Sequence, residues 1–74
     1  MTPAQCRAAR ALLNWTQDRL CEAAQVSGPT VRNFENGKIT PHRATRTMMQ
    51  QALEAAGVEF TNGDEPGVKL RKAR

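Results

Sequence analysis

The stretch from Val26 to Gly37, Val-Ser-Gly-Pro-Thr-Val-Arg-Asn-Phe-Glu-Asn-Gly, constrains this chain more than any other because both of its ends are specified. Ser27 is a good N-cap, Pro29 is tolerated in a first helical turn where its missing N–H costs little, and Asn36-Gly37 is a strong stop. The spacing predicts a short helix over 28–36. Val31 and Phe34 fall three apart and share an inward face, which leaves Thr30, Arg32, Asn33 and Asn36 facing outward or sideways. Arginine can read guanine edges and asparagine adenine edges, while a threonine hydroxyl or methyl can meet a phosphate or a thymine. The exposed set therefore suits nucleic acid.

The flanking segments read as three more helices and a hairpin. Thr2-Pro3-Ala4-Gln5 opens the first helix with a Thr-x-x-Gln capping box and a proline at the first helical position. Cys6, Ala9, Leu12 and Leu13 form its buried stripe, Arg7 faces water, and Arg10 lies near the edge of the stripe. Asn14 ends this helix and Trp15 covers the edge of the core. Thr16 caps a second helix, Gln17 to Ala24, that buries Leu20, Cys21 and Ala24. Lys38 to Thr40 is a loop. Thr40-Pro41 begins a longer helix ending at Gly57, with Thr45, Met48, Met49, Ala52, Leu53 and Ala56 along one side, the methionines serving as core filler. The period then changes to alternation in Val58-Glu59-Phe60 and Val68-Lys69-Leu70. Between them Asn62-Gly63, Asp64, Pro66 and Gly67 signal a turn, so the segment is a β-hairpin with Glu59 and Lys69 on its polar face. A basic tail, Arg71-Lys72-Ala73-Arg74, follows.

The ordered set Arg10, Leu13, Trp15-Thr16-Gln17, Leu20, Val26-Ser27, Thr30-Val31, Phe34-Glu35-Asn36-Gly37, Pro41, Ala52-Leu53 and Gly57 resembles the lambda-repressor/Cro-like helix-turn-helix proteins, the XRE family. The resemblance covers roughly Pro3 to Gly57. It implies a mainly α fold, a four-helix lambda-repressor-like DNA-binding domain over 1–57, and leaves the C-terminal β-hairpin and basic tail, 58–74, as an extension of the same domain for dimerisation. It further implies that Arg10 pairs with Glu35, where the isolated sequence suggests a solvated arginine. Gln17, Ser27, Asn36, Lys38 and Arg43 match positions where the family touches phosphates. Family members also use the first two residues of the reader helix for bases; here these are Gly28 and Pro29, which offer no side-chain donor or acceptor. Three residues depart from the pattern. Cys21 stands where alanine is usual, Gln25 stands where glycine is usual because the backbone turns left-handed, and Arg46 stands in a row of leucines, so that either the helix is rotated slightly or Arg46 bends out to a phosphate or toward Glu35.

Size and charge narrow the function. At 74 residues the chain is one domain of modest stability, so a second subunit would help it. Its net charge of +4 is unevenly distributed: four bases and one acid from Arg32 to Arg46, then four acids and no base from Thr47 to Gly67. Cys6 and Cys21 fall at apolar helical positions, consistent with reduced, packed thiols rather than a disulfide, and no signal peptide or apolar span is apparent, pointing to a cytoplasmic protein. Two cysteines and His42, far apart, make no zinc ligand set, and no cofactor is implied. With one histidine, no phosphate loop and no nucleophile motif, an enzyme is the least supported class.

The leading expectation is a sequence-specific DNA-binding transcriptional regulator, a repressor, that reads the major groove with helix 28–36: Thr30, Arg32 and Asn33 on bases, flanked by Gly28 and Pro29. The alternative is an antitoxin-like or operon-encoded protein-interaction module that keeps the fold. The expected partner is double-stranded DNA with two half-sites, bound by a homodimer. Val58, Phe60, Val68 and Leu70 place four apolar side chains on one hairpin face; packing on the chain's own four helices would cover them, but they are the expected dimer interface, with the acidic 54–65 stretch meeting the basic 69–74 segment of the other copy.

Overall fold

In the computed structural model, which describes residues 1–61 and 64–71, the chain runs α1 (Pro3–Leu13), α2 (Gln17–Ala24), α3 (Gly28–Glu35), α4 (Arg43–Ala55), β1 (Val58–Thr61) and β2 (Gly67–Leu70). Asn62-Gly63 of the expected turn and Lys72-Ala73-Arg74 of the basic tail lie outside the described residues. The first three helices begin on side-chain caps. Thr2 Oγ1 accepts from the Gln5 amide while Gln5 Oε1 accepts from the Thr2 amide, completing the capping box. Thr16 and Ser27 accept from the amides of Arg19 and Thr30 in the same way.

The helix ends fall into two types. α1 and α2 stop on left-handed residues, Asn14 at φ 59° and Gln25 at φ 58°, and in each the following amide reaches back to a carbonyl five residues earlier: Trp15 to Arg10 and Val26 to Cys21. Asn36 stays right-handed, and the chain turns one residue later at Gly37, φ 76°, letting the Lys38 amide reach the Asn33 carbonyl at 2.8 Å. α4 begins at Arg43, after the Thr40-Pro41 start that the sequence suggests. Pro41 is buried, so the chain stays extended through His42 (ψ 152°) before winding, and His42 caps with no side-chain bond.

Cys6, Ala9, Leu20, Ala24, Val31, Phe34, Met49, Leu53 and Val58 form the core, with Leu13, Trp15, Val26, Ala52, Phe60 and Val68 packed against it. Several expected core positions are corrected. Leu12 and Met48 are each 42% exposed, because Leu13 and Met49 take the inward line and a neighbour one residue away is turned by about 100°. Ala56 is exposed, and Thr45 and Cys21 are half-buried; both cysteines are free thiols.

The hairpin is antiparallel in the register Val58–Leu70, Glu59–Lys69, Phe60–Val68 and Thr61–Gly67. It packs on its own chain. Val58 is fully buried, and Phe60 and Val68 lie against the same core, so three of the four residues expected at a dimer interface are already covered; Leu70 remains 49% exposed. A two-stranded ribbon cannot bury an apolar face alone, and α1 and α4 supply the cover. Gln5 Nε2 donates to the carbonyls of both Thr61 and Gly67, 3.0 Å each, fastening the loop end of the hairpin to α1. Lys69 Nζ lies 3.6 Å from Glu59 of its own hairpin, and the Arg71 guanidinium donates to the Glu54 carbonyl. These two bases therefore meet their own chain. Among the described residues, no helix is long and apolar enough to cross a membrane.

Candidate nucleic-acid interface

The interface is held from the inside by one carboxylate. Glu35, the last residue of α3, is 2% exposed, and its oxygens receive four donors from two other helices. Arg10 approaches as a fork, Nη2 to Oε1 and Nε to Oε2, each at 2.7 Å. Gln17 Nε2 donates at 2.9 Å and the Cys6 thiol at 3.1 Å. Burial opposes the charge on Glu35, yet the hydrogen bonds from Arg10, Gln17 and Cys6 outweigh it and hold its pKa below the ordinary value. Burial, reinforced by the bond to Glu35, pushes the Cys6 thiol up, so it stays protonated and donates. The hydrogen bond to Glu35 likewise raises the Arg10 pKa, against the effect of burial.

Arg10 also donates from Nη1 to the Trp15 carbonyl at 3.0 Å, and Arg7 Nη1 donates to the Glu35 carbonyl. Arg7 is exposed, as expected, and its guanidinium also satisfies a carbonyl at the end of α3 that the helix itself leaves open. Together the two arginines tie α1 to the C-terminal end of α3, and Gln17 ties the first turn of α2 to the same point. Trp15 closes the edge of this cluster with the Arg19 guanidinium stacked 4.8 Å from its ring centre.

The outer surface is built around α3. Thr30 and Asn33 are half-buried and Pro29 and Arg32 exposed. The Thr30 hydroxyl is 2.8 Å from Ser27 Oγ, so one of the two hydroxyls donates to the other at the start of the helix. Asn36 and Lys38 are exposed where the chain leaves α3, and Arg43 is exposed at the start of α4. Arg46 is half-buried, and its Nε donates to the Pro41 carbonyl at 3.1 Å rather than reaching Glu35. Gln17 turns its amide inward to Glu35, so one of its donors is used within the protein.

Two residues escaped the sequence-based assignment. Gln5 was legible as a capping residue, but its second role depends on carbonyls 56 and 62 positions away. Arg7 sits one helical turn before Arg10, and that spacing was the available signal.

The family model described as helix-turn-helix matches residues 7–61, from α1 through β1. No curated protein matches the chain.

Proposed function

This chain belongs to the lambda-repressor/Cro-like helix-turn-helix family and is a DNA-binding domain of that type, and on that premise we propose that it is a sequence-specific transcriptional repressor. In this reading α3 enters the major groove and α2 braces it across the phosphate backbone. Thr30, Arg32 and Asn33 read bases, with Gly28 and Pro29 lying against the groove at the first turn. Gln17, Ser27, Asn36, Lys38, Arg43 and Arg46 hold phosphates, Gln17 with its second amide hydrogen and Arg46 with its terminal nitrogens.

One observation carries the reading: the inner polar groups of α3 are fully engaged by Arg7, Arg10, Gln17 and Cys6, while Arg32, Asn36 and Lys38 are left exposed. A helix fixed at its back and unencumbered at its front is organised for a rigid ligand. The chain acts in the cytoplasm as a two-fold dimer on a two-half-site operator, with 1–57 as the DNA-binding part and 58–74 as the dimerisation extension. Leu70 and the open edge of β2 supply the contact that remains available there.

The test is selection of bound sites from random duplex DNA, followed by titration of the recovered site across salt. A two-half-site motif is expected, with log affinity falling by about 0.9 per phosphate for each unit of log salt. A flat salt response would instead identify an antitoxin-like protein-interaction module, a reading to which the exposed Leu12, Ile39 and Met48 side chains lend some support.

A further inference from the structure

The start of α3 holds a side chain that does not belong to it. Gly28 is the first residue of the helix, and a Cβ built there would lie 3.3 Å from Nη1 of Arg32, one turn further on. Long helical side chains point back toward the N-terminus, and positions four apart lie on one face, so Arg32 extends along the helix and sets its guanidinium over the first turn. Glycine leaves that space open. The Arg32 fork is exposed and enters none of the ion pairs among the described residues, so its donors remain free.

We propose that Gly28 and Arg32 act as one specificity determinant: the absent side chain of Gly28 seats the Arg32 guanidinium at the N-terminal end of α3, where it recognises a guanine through O6 and N7. The inference rests on α3 being the DNA reader. Gly28 is a positioning residue and Arg32 the contact. The guanidinium suits this target because its planar fork matches the two acceptors that guanine alone presents side by side in the major groove. Any side chain at 28 competes for the same space. Alanine forces the guanidinium to shift by a few tenths of an ångström, and leucine displaces it.

A merely structural role for Gly28 would make its replacement lower the melting temperature along with binding, whereas the proposal leaves the fold intact. Glycine is a poor helix former, so replacing it should leave the melting temperature unchanged or raise it. The experiment compares the wild type with Gly28→Ala, Gly28→Leu, Arg32→Ala and Arg32→Lys, measuring base preference at each position of the selected site together with thermal melting. The wild type should require guanine at one position per half-site. Arg32→Ala and Arg32→Lys should each lose about tenfold or more of that preference. Gly28→Leu should lose a similar share and Gly28→Ala a smaller one, with melting temperatures at or above the wild-type value. A guanine preference that persists in Gly28→Leu or in Arg32→Ala overturns the proposal while leaving sequence-specific binding intact. A wild type with no base preference at any position overturns both.

Discussion

Glu35 is ionised in a place where burial works against its charge, and this makes its protonation a stability switch. Its pKa is lowered on folding, so the contribution is fully present above the unfolded glutamate value of about 4.3 and is lost as pH falls through the still lower folded value. Denaturation curves taken from pH 6 downward should therefore steepen in loss below about 4.3, and Glu35→Gln should be flatter there; equal slopes would exclude Glu35 as the titrating group. Removing Arg10 alone leaves the carboxylate buried without its main partner, which typically costs about 3–5 kcal/mol, nearly the whole stability of a domain this small. Arg10→Met combined with Glu35→Leu should cost less than either single change, as a double-mutant cycle would measure. Gln25 is a second point of stored energy. Its φ of 58° places a side chain in the left-handed region, so Gln25→Gly should stabilise the fold by roughly 0.5–1 kcal/mol, with strain relief exceeding the entropy cost of glycine. A lower melting temperature for that variant would show that the strain is negligible.

Elements carry function here through what is fixed behind them. With α3 held by its last residue, its outward side chains should contribute separably: Asn33→Ala should reduce affinity for the selected site by about 1–3 kcal/mol and relax base choice, whereas Lys38→Ala should weaken binding to all sequences alike. The ratio of cognate to random affinity separates the two, and an unchanged ratio in Asn33→Ala would remove it as a reader. The hairpin is held in a comparable way by Gln5. Gln5→Ala should strip two hydrogen bonds from the Thr61–Gly67 end and speed amide exchange in β2 while leaving α3 protected; uniform exchange across the molecule would argue for global destabilisation instead. How far these elements were legible depends on the range of the forces that make them. The bounds of α2 and the start of α3 could be read from the chain because Thr16 and Ser27 bond amides three residues away, and the two faces of the hairpin, with Glu59 and Lys69 sharing one, followed from alternation. The start of α4 was misread because Thr-Pro resembles a cap, whereas the burial of Pro41 is decided by tertiary packing. Of the Glu35 cluster, the Arg10 partner came only from family resemblance. The Cys6, Arg7 and Gln17 contacts span 18 to 29 residues, beyond any local pattern.

At the scale of the whole molecule the charges divide along the chain, with bases from Arg32 to Arg46 in and after α3 and acids from Thr47 to Gly67 in α4 and the hairpin, so the segment that begins with α3 is the one that favours an anionic partner. One reader helix contacts only a few base pairs, and specificity generally requires two, spaced about 34 Å or a multiple of it along the duplex. In the proposed dimer the second copy would have to join without disturbing the core. Val58, Phe60 and Val68 are covered already, which leaves Leu70 and the backbone of β2. The Arg71 amide bonds the Gly57 carbonyl, so 57 and 71 form a hydrogen-bonded pair; alternation then makes Glu59–Lys69 another such pair and turns the amides of Val68 and Leu70 outward. An open strand edge ending in an exposed leucine is a surface that proteins either protect or use. Two copies meeting antiparallel along β2 would satisfy those amides and bury both leucines across a two-fold axis. Deleting 58–74 would be a poor test, because it would also remove Val58 from the core. Leu70→Glu avoids that problem by placing like charges opposite one another at the junction. Sedimentation should show a dimer for the wild type and a monomer for Leu70→Glu with an unchanged thermal transition at low concentration. The variant should lose most affinity for the two-half-site operator while retaining weak binding to a single half-site in low salt. A Leu70→Glu chain that still sediments as a dimer would place the two-fold contact on another surface.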